Sequence, residues 1–275
     1  LHLADRRLRC HHCGLEAMIP RACPDCGNLD LQPFGRGTQR LEERLATLFP
    51  TARILRIDRD SADSPKKWQA LLEQIHAGEA DILVGTQMLA KGHDFPKLTL
   101  VGVVGADAAL FAADFRAPER LFAQLMQVGG RSGRHLLPGA VLIQTEYPDH
   151  PLYRALAGHD YAAFARAQLA ERAAAGFPPF SFQAMLRAEA RELAQALDFL
   201  HGAVASAPTF AGILLYDPVP MRLFRLKNRE RAQMLIEAKS RPQLHAFLDA
   251  WLAVLYARKI PRTLRWHLDV DPLEY

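Results

Sequence analysis

The chain has 275 residues, 49% of them hydrophobic, with a formal net charge of +4 and an isoelectric point near 9.0. This excludes chain-wide disorder, supplies apolar surface for two or so domains, and favours an anionic partner such as nucleic acid. No apolar run approaches the roughly 18 residues of a membrane span and no signal peptide is visible, so the chain reads as a soluble, cytoplasmic fragment of something longer.

All four cysteines fall in two C-x-x-C-G units, Cys10-His-His-Cys13-Gly and Cys23-Pro-Asp-Cys26-Gly. Such units put two thiolates at the tip of a turn that the glycine lets wrap around a tetrahedral Zn2+, an arrangement suited to a reducing compartment. A redox pair would need a βαβ context that is missing, and ligation by His11 or His12 is a further alternative. The spacer between the pairs is short for two knuckles sharing one metal, so completion of each pair by ligands upstream of Leu1 is a second arrangement. Residues 1–30 are accordingly expected to form a partial zinc-knuckle segment.

From 31 to 150 the pattern alternates strand and helix. Residues 31–34 suit a strand leading into Gly35-Arg-Gly37-Thr38 and a helix over 39–49. Free N–H groups at such a helix start suit a phosphate, although a plain Thr38 N-cap explains the same residues. Residues 52–57 suit a strand, Ser64-Pro65 opens a helix reaching Ala77, and 81–84, 98–104 and 140–144 read as buried-type strands. With a helix over 118–126, this predicts a parallel α/β layer. Functional loops of such layers follow the carboxyl ends of strands, where Gly85-Thr86-Gln87 and Asp107 fall.

The stretch Gln127-Val-Gly-Gly-Arg131-Ser-Gly-Arg134 carries two arginines that can aim planar guanidiniums at one anion. It reads either as an arginine-rich helix end on the surface or as an arginine finger facing a nucleotide. Residues 151–176 are Ala-rich and helical, with Tyr153, Leu156, Tyr161, Phe164 and Leu169 as candidate buried positions. Phe177-Pro-Pro-Phe180 stops them, giving a helical linker over 151–180. Residues 181–275 then read strand 182–188, helix 192–205, strand 212–218, strand 232–237, helix 240–258 and strand 264–270, which predicts a ferredoxin-like α+β domain. Arg222, Arg225, Lys227, Arg229 and Arg231 crowd the connection between its central strands, as a solvated face or a DNA contact.

Taken together, Gly85-Thr-Gln-Met-Leu-Ala-Lys91-Gly92-His-Asp94-Phe-Pro96, Asp114-Phe-Arg-Ala-Pro-Glu-Arg120 and the Gln127 to Arg134 stretch resemble the second, RecA-like motor lobe of the primosomal replication restart helicases, the PriA family of superfamily 2. The resemblance extends from the C-x-x-C pairs through Asp160-Tyr-Ala-Ala-Phe164 to Trp266-His-Leu-Asp-Val-Asp-Pro272. It implies an ATP-dependent 3' to 5' DNA helicase that recognises stalled forks and restarts replication by primosome assembly.

The resemblance also implies residue roles. Gln127, Arg131 and Arg134 correspond to the sixth helicase motif, with Arg134 and Arg131 on the ATP γ-phosphate; Gly129 and Ser132 stand where that motif often carries Ala. Gly92 and Asp94 correspond to the nucleotide-side end of the fifth motif. Thr86, Gln87, Lys91 and Thr38 are implied DNA-phosphate contacts, and Arg222, Arg225, Lys227 and Arg229 a DNA-binding patch. Arg241 is implied to anchor the acidic C-terminal tail of the single-stranded-DNA-binding protein, a plain helix-surface role being the alternative.

Further implied partners are branched and single-stranded DNA and other primosome proteins. The family interleaves its knuckles around two Zn2+, so Cys10 and Cys13 would serve one metal and Cys23 and Cys26 the other. No G-x-x-x-x-G-K-[ST] and no acidic Mg2+ box occur, so ATP and Mg2+ would be held by a lobe absent from this chain, which alone is expected not to hydrolyse ATP. The competing expectations are a DNA- and protein-binding assembly module and a lobe of another superfamily 2 fork remodeller. The cysteine block and the terminal Trp266 to Pro272 stretch speak against the remodeller.

Overall fold

The computed structural model of the chain describes residues 7–9, 16–18, 20, 37–58, 64–86, 95, 97–112, 114–130, 138–226 and 228–273. The chain divides into two units, Phe34–Leu169 and Leu1–Pro33 together with Ala170–Tyr275. The expected linker over 151–180 is thus split between them. The expected strand at 31–34 lies outside the described residues.

Within Phe34–Leu169 the order is α1 (Thr38–Leu48), β3 (Ile54–Ile57), α2 (Pro65–His76), β4 (Ile82–Gly85), β5 (Leu100–Val103), α3 (Asp107–Leu110), α4 (Ala117–Gly129), β6 (Ala140–Ile143), α5 (Pro151–Ala157) and the start of α6 (Tyr161–Ala175). Strands β1 (Arg7–Arg9) and β2 (Glu16–Met18) precede them. Helix α2 starts as expected: Ser64 Oγ accepts from the Lys67 N–H, and Pro65 occupies the first turn, where its missing N–H costs nothing.

β3 pairs in parallel with β4, Ile57 opposite Gly85, and β5 with β6, Leu100 opposite Ala140. Among the described residues no ladder joins β4 to β5, so the expected layer consists of two parallel pairs. Nor are β5 and β6 buried on both faces. Val103 and Ile143 turn toward a core, while Leu100 and Leu142 point away and stay 53% and 62% exposed.

That core is built by helices. Leu121, Phe122 and Leu125 of α4 form one stripe, packed with Ala106 and Leu110 beside them and with Leu152, Tyr153 and Ala155 of α5 and Phe164 of α6. The rings of Phe122 and Phe164 stack at 4.1 Å. The expected buried positions Tyr153 and Phe164 are buried and Leu156 is partly so, but Tyr161 and Leu169 are 63% and 43% exposed. The reason is geometric: Tyr161 opens α6 and only tilts against Phe122 at 5.9 Å, and Phe164 is the buried residue of that helix.

After the Phe177 to Phe180 turn come β7 (Phe182–Ala190), α7 (Leu193–Ala205), β8 (Ile213–Leu215), β9 (Val219–Leu226), β10 (Arg229–Ala238), α8 (Arg241–Ala257) and β11 (Arg265–Val270). The sheet is antiparallel, in the order β11-β7-β10-β8, with β9 also on β10. Alternate residues Ala184, Leu186, Ala188 and Ala190 of β7 and Ala232, Met234, Ile236 and Ala238 of β10 face the core shared with α7 and α8. Trp251 of α8 is fully buried there and donates its indole N–H to the Ala203 carbonyl of α7 at 3.1 Å.

One expectation needs correction. The basic run was expected as the hairpin connection between strands at 212–218 and 232–237; it is a hairpin, but one made of paired strand, β9 and the start of β10, turning at Asn228 with φ 60°. Its two arginines are interspersed with apolar residues, Met221-Arg-Leu-Phe-Arg-Leu226, and Arg225 lies opposite Glu230, so the charge is compatible with pairing.

Asp81 at the head of β4 holds Arg53 just before β3. Its Oδ2 accepts from the Arg53 main-chain N–H and Nε at 2.8 and 2.9 Å, and its Oδ1 from Nη2 at 2.7 Å. The guanidinium and the Arg53 N–H hold the Asp81 carboxyl down to about 2. A depressed carboxylate stabilises the fold above its unfolded pKa of about 3.9 and loses that contribution as pH falls through the folded value. The stability gap between the wild type and Asp81→Asn is therefore expected at neutral pH and should close between pH about 4 and about 2, read from urea unfolding across that range.

Candidate functional site

The carboxyl ends of β3 and β4 lie side by side, Ile57 opposite Gly85, and each is followed by a polar residue. Thr86 follows β4 and is exposed. Asp58 follows β3 and is buried; its Oδ2 accepts from Thr38 Oγ1 at 3.0 Å and lies 3.0 Å from Arg56 Nη1. Arg56 Nε also reaches Glu42 on α1 at 3.1 Å. The hydroxyl hydrogen of Thr38 is therefore spent on Asp58, and what α1 can offer an incoming phosphate is the N–H groups of its first turn. Asp58 went unnoticed in the sequence; a carboxylate directly after a buried strand is the signal that could have found it.

The next two strand ends converge on Asp107. Its Oδ1 accepts from Thr145 Oγ1 at 2.6 Å and from the Tyr153 hydroxyl at 3.1 Å, and its Oδ2 from the Glu146 main-chain N–H at 2.8 Å. Burial opposes the charge, but these donors outweigh it and hold the Asp107 carboxyl below its ordinary value, with His150 adding a smaller favourable field. The phenol of Tyr153 is pushed up, chiefly by burial, against the opposing hydrogen bond of Thr145, with its bond to Asp107 and that carboxylate's charge adding smaller upward effects.

Helix α4 begins close to this cluster. Asp114 Oδ1 accepts from the Arg116 N–H and its Oδ2 pairs with Arg120, fixing the first turn. The other end runs back along β6, where Gly129 lies beside Val141. Gln127 is exposed on the last turn, and the helix ends at Gly129 with the Gly130 N–H on the Met126 carbonyl. Arg131 and Arg134, like Gln87, Lys91, Gly92 and Asp94, lie outside the described residues. Thr38 and Thr86 are thus brought to one edge, while Gln127 stands in the last turn of α4, about 15 Å of helix from its start at Ala117 by the rise per residue.

In the C-terminal unit Arg225 is exposed on β9, whereas Arg229 donates to the Thr263 carbonyl at 2.8 Å and lies 3.9 Å from Glu189. The backbone of Arg222 belongs to β9, and Lys227 lies outside the described residues. Arg241 starts α8 behind the Ser240 cap, 3.1 Å from Asp271 and over the Phe182 ring at 5.3 Å. Cys10, Cys13, Cys23 and Cys26 lie outside the described residues, but the antiparallel pair β1/β2, Arg9 opposite Glu16, brackets the first two. Among the described residues no helix is long and apolar enough to cross a membrane.

Residues 34–136 match the helicase conserved C-terminal domain, and residues 173–273 the primosomal protein N C-terminal domain. The chain is 43% identical over 278 residues to the replication restart protein PriA of Haemophilus influenzae, covering 98% of this chain and 37% of that protein. It is 40% identical over 276 residues to the Bacillus subtilis protein of that name, covering 98% of this chain and 34% of that protein. For the Rickettsia conorii protein the figures are 37% over 276 residues, 100% and 42%. The chain therefore spans well under half the length of these relatives. With both domains in succession and identity along nearly its whole length, it belongs to the PriA family of replication restart proteins.

Proposed function

We propose that this chain is the second motor lobe and C-terminal domain of an ATP-dependent 3' to 5' DNA helicase that recognises stalled forks and restarts replication. The observation that carries the reading is the geometry of α4 within the matched helicase domain: the helix is clamped by its apolar stripe and leads directly into Arg131-Ser-Gly-Arg134. A guanidinium fork there can meet the γ-phosphate of an ATP held by another lobe. On this reading Arg134 and Arg131 contact that phosphate, Gln127 orients them, and Gly92 and Asp94 lie by the nucleotide sugar. Thr86, Gln87 and Lys91, with the α1 start at Thr38, meet strand phosphates. Branched and single-stranded DNA are the substrates.

The chain has no G-x-x-x-x-G-K-[ST], so the ATP and Mg2+ ligands are assigned to the remainder of the protein. That absence also favours a second description of the chain by itself, as a binding and assembly module for DNA and primosome proteins. For the C-terminal domain a ferredoxin-like reading is supported by the order β11-β7-β10-β8 and by α7 and α8 sharing one core. Among the described residues of the basic hairpin, Arg225 is exposed and would meet DNA. Arg241 would anchor the acidic tail of the single-stranded-DNA-binding protein in competition with Asp271.

The donor set of the cysteine segment, four thiols in C-x-x-C-G units with β1/β2 bracketing the first, fits Zn2+. When bound, the metal would supply folding energy to this segment.

In the intact protein, Arg134→Ala should abolish DNA-stimulated ATP hydrolysis and leave fork binding in place; wild-type hydrolysis in that variant would defeat the motor reading. Metal analysis should find two zinc ions per intact protein. One tightly bound zinc on the isolated chain would instead indicate a single four-thiolate site.

A further inference from the structure

One end of the C-terminal sheet gathers positive charge from several strands and a loop. The ladder register sets Arg265, at the start of β11, and Arg231 of β10 on either side of Glu189 of β7, and Arg225 of β9 opposite Glu230. The loop 258–264 meets this end, because Arg229 donates to the Thr263 carbonyl at 2.8 Å. Between residues 250 and 268 the chain carries Arg258, Lys259, Arg262 and Arg265 and no carboxylate. The carboxylates facing these strands are engaged within the fold: Glu230 accepts the Leu193 N–H at 2.7 Å, and Glu189 lies 3.9 Å from Arg229.

On the helix side of the sheet, at the same end, stands a row of rings. Phe199 of α7 stacks on Trp266 of β11 at 6.0 Å, and Trp266 meets Tyr256 of α8 at 5.1 Å. Phe199 is buried and Trp266 half-buried, but Tyr256 is 75% exposed, more than any other large hydrophobic residue among the described ones. A ring that only closed the core would be covered. Arg258 turns inward: it lies over Phe199 at 5.6 Å, donates to Ser206 Oγ at 3.0 Å and fills the room that Gly202 leaves. Lys259 and Arg262, next along the loop, are exposed.

An exposed aromatic face bordered by cations suits unpaired nucleotides, since a base stacks on the ring while its phosphates meet the cations. We infer that Tyr256, backed by Trp266, is a stacking platform for a base of single-stranded DNA, with Lys259 and Arg262 meeting the flanking phosphates. It adds a strand contact to the one read at Arg225, and it rests on the reading of single-stranded DNA as a substrate.

The test measures binding of a labelled oligothymidylate to the intact protein over a range of salt. Tyr256→Ala should weaken Kd about tenfold, within the range for one base stack, and leave the salt dependence unchanged because no charge is lost. Tyr256→Phe keeps the ring and should bind as wild type, whereas Tyr256→Leu keeps apolar bulk without a ring and should bind as weakly as Tyr256→Ala. On an abasic strand Tyr256→Ala should cost nothing. Lys259→Ala combined with Arg262→Ala should flatten the slope of log affinity against log salt by about 1.4, roughly 0.7 for each phosphate on a single strand. Wild-type affinity in Tyr256→Ala, or an equal loss on the abasic strand, would overturn the platform, and an unchanged slope in the double variant would overturn its phosphate contacts. If Tyr256→Ala does not fold, Tyr256→Leu decides, and wild-type affinity there overturns the platform. Failure of the wild-type protein to bind the oligonucleotide would remove the substrate reading as well, whereas tight binding by both wild type and Tyr256→Ala removes only the role of Tyr256.

Discussion

Helix α4 has to be held firmly, because the short parallel ladders beside it cannot hold it. Two strands of four residues give few ladder bonds, and the β5/β6 pair is exposed on one face. The stack of Phe122 on Phe164, with Leu121 and Leu125 beside it, supplies the missing rigidity from the side of α5 and α6. The helices after the last strand of this unit are therefore part of its core, and α4 is seated by residues as far along the chain as Phe164.

Local chemistry was legible in the sequence. Ser64-Pro65 announced α2 because the cap and the proline act within four residues. The two-helix, antiparallel plan of the C-terminal domain followed from the period of its apolar residues, which the structure keeps at Ala184, Leu186, Ala188 and Ala190. Long-range choices were hidden. The partners of Asp107 lie 38, 39 and 46 residues away, and no spacing rule links an aspartate after one strand to a threonine after another. Strand β9 was missed because arginines interspersed with Leu and Phe look like a solvated connection until Glu230 appears opposite Arg225. The exposure of Tyr161 and Leu169 likewise depended on where α6 meets α4, which an Ala-rich helix does not advertise.

The two faces of the C-terminal sheet divide the physical labour. One face is apolar and carries both helices, locked by the Trp251 indole on Ala203. The other is polar: Gln183 donates to Glu237, and Arg187 bonds Asp269 and reaches Gln233. Buried polar groups are costly unless satisfied, and these side chains satisfy one another. Such a network specifies strand register, since a slip of one residue would put Arg187 into the apolar core.

Strand β10 has a further property. One of its sides is fully occupied by β7, while the other is shared, with β9 covering its first half and β8 its second. An uncovered ten-residue strand would offer a long template for pairing with another chain, the usual beginning of aggregation. Here the outer boundary is broken into two short strands separated by residues 216–218, and one of them carries arginines. Interruption and charge together are how sheet proteins keep their borders from recruiting copies of themselves, so the basic hairpin disfavours edge pairing whether or not a polyanion ever meets it.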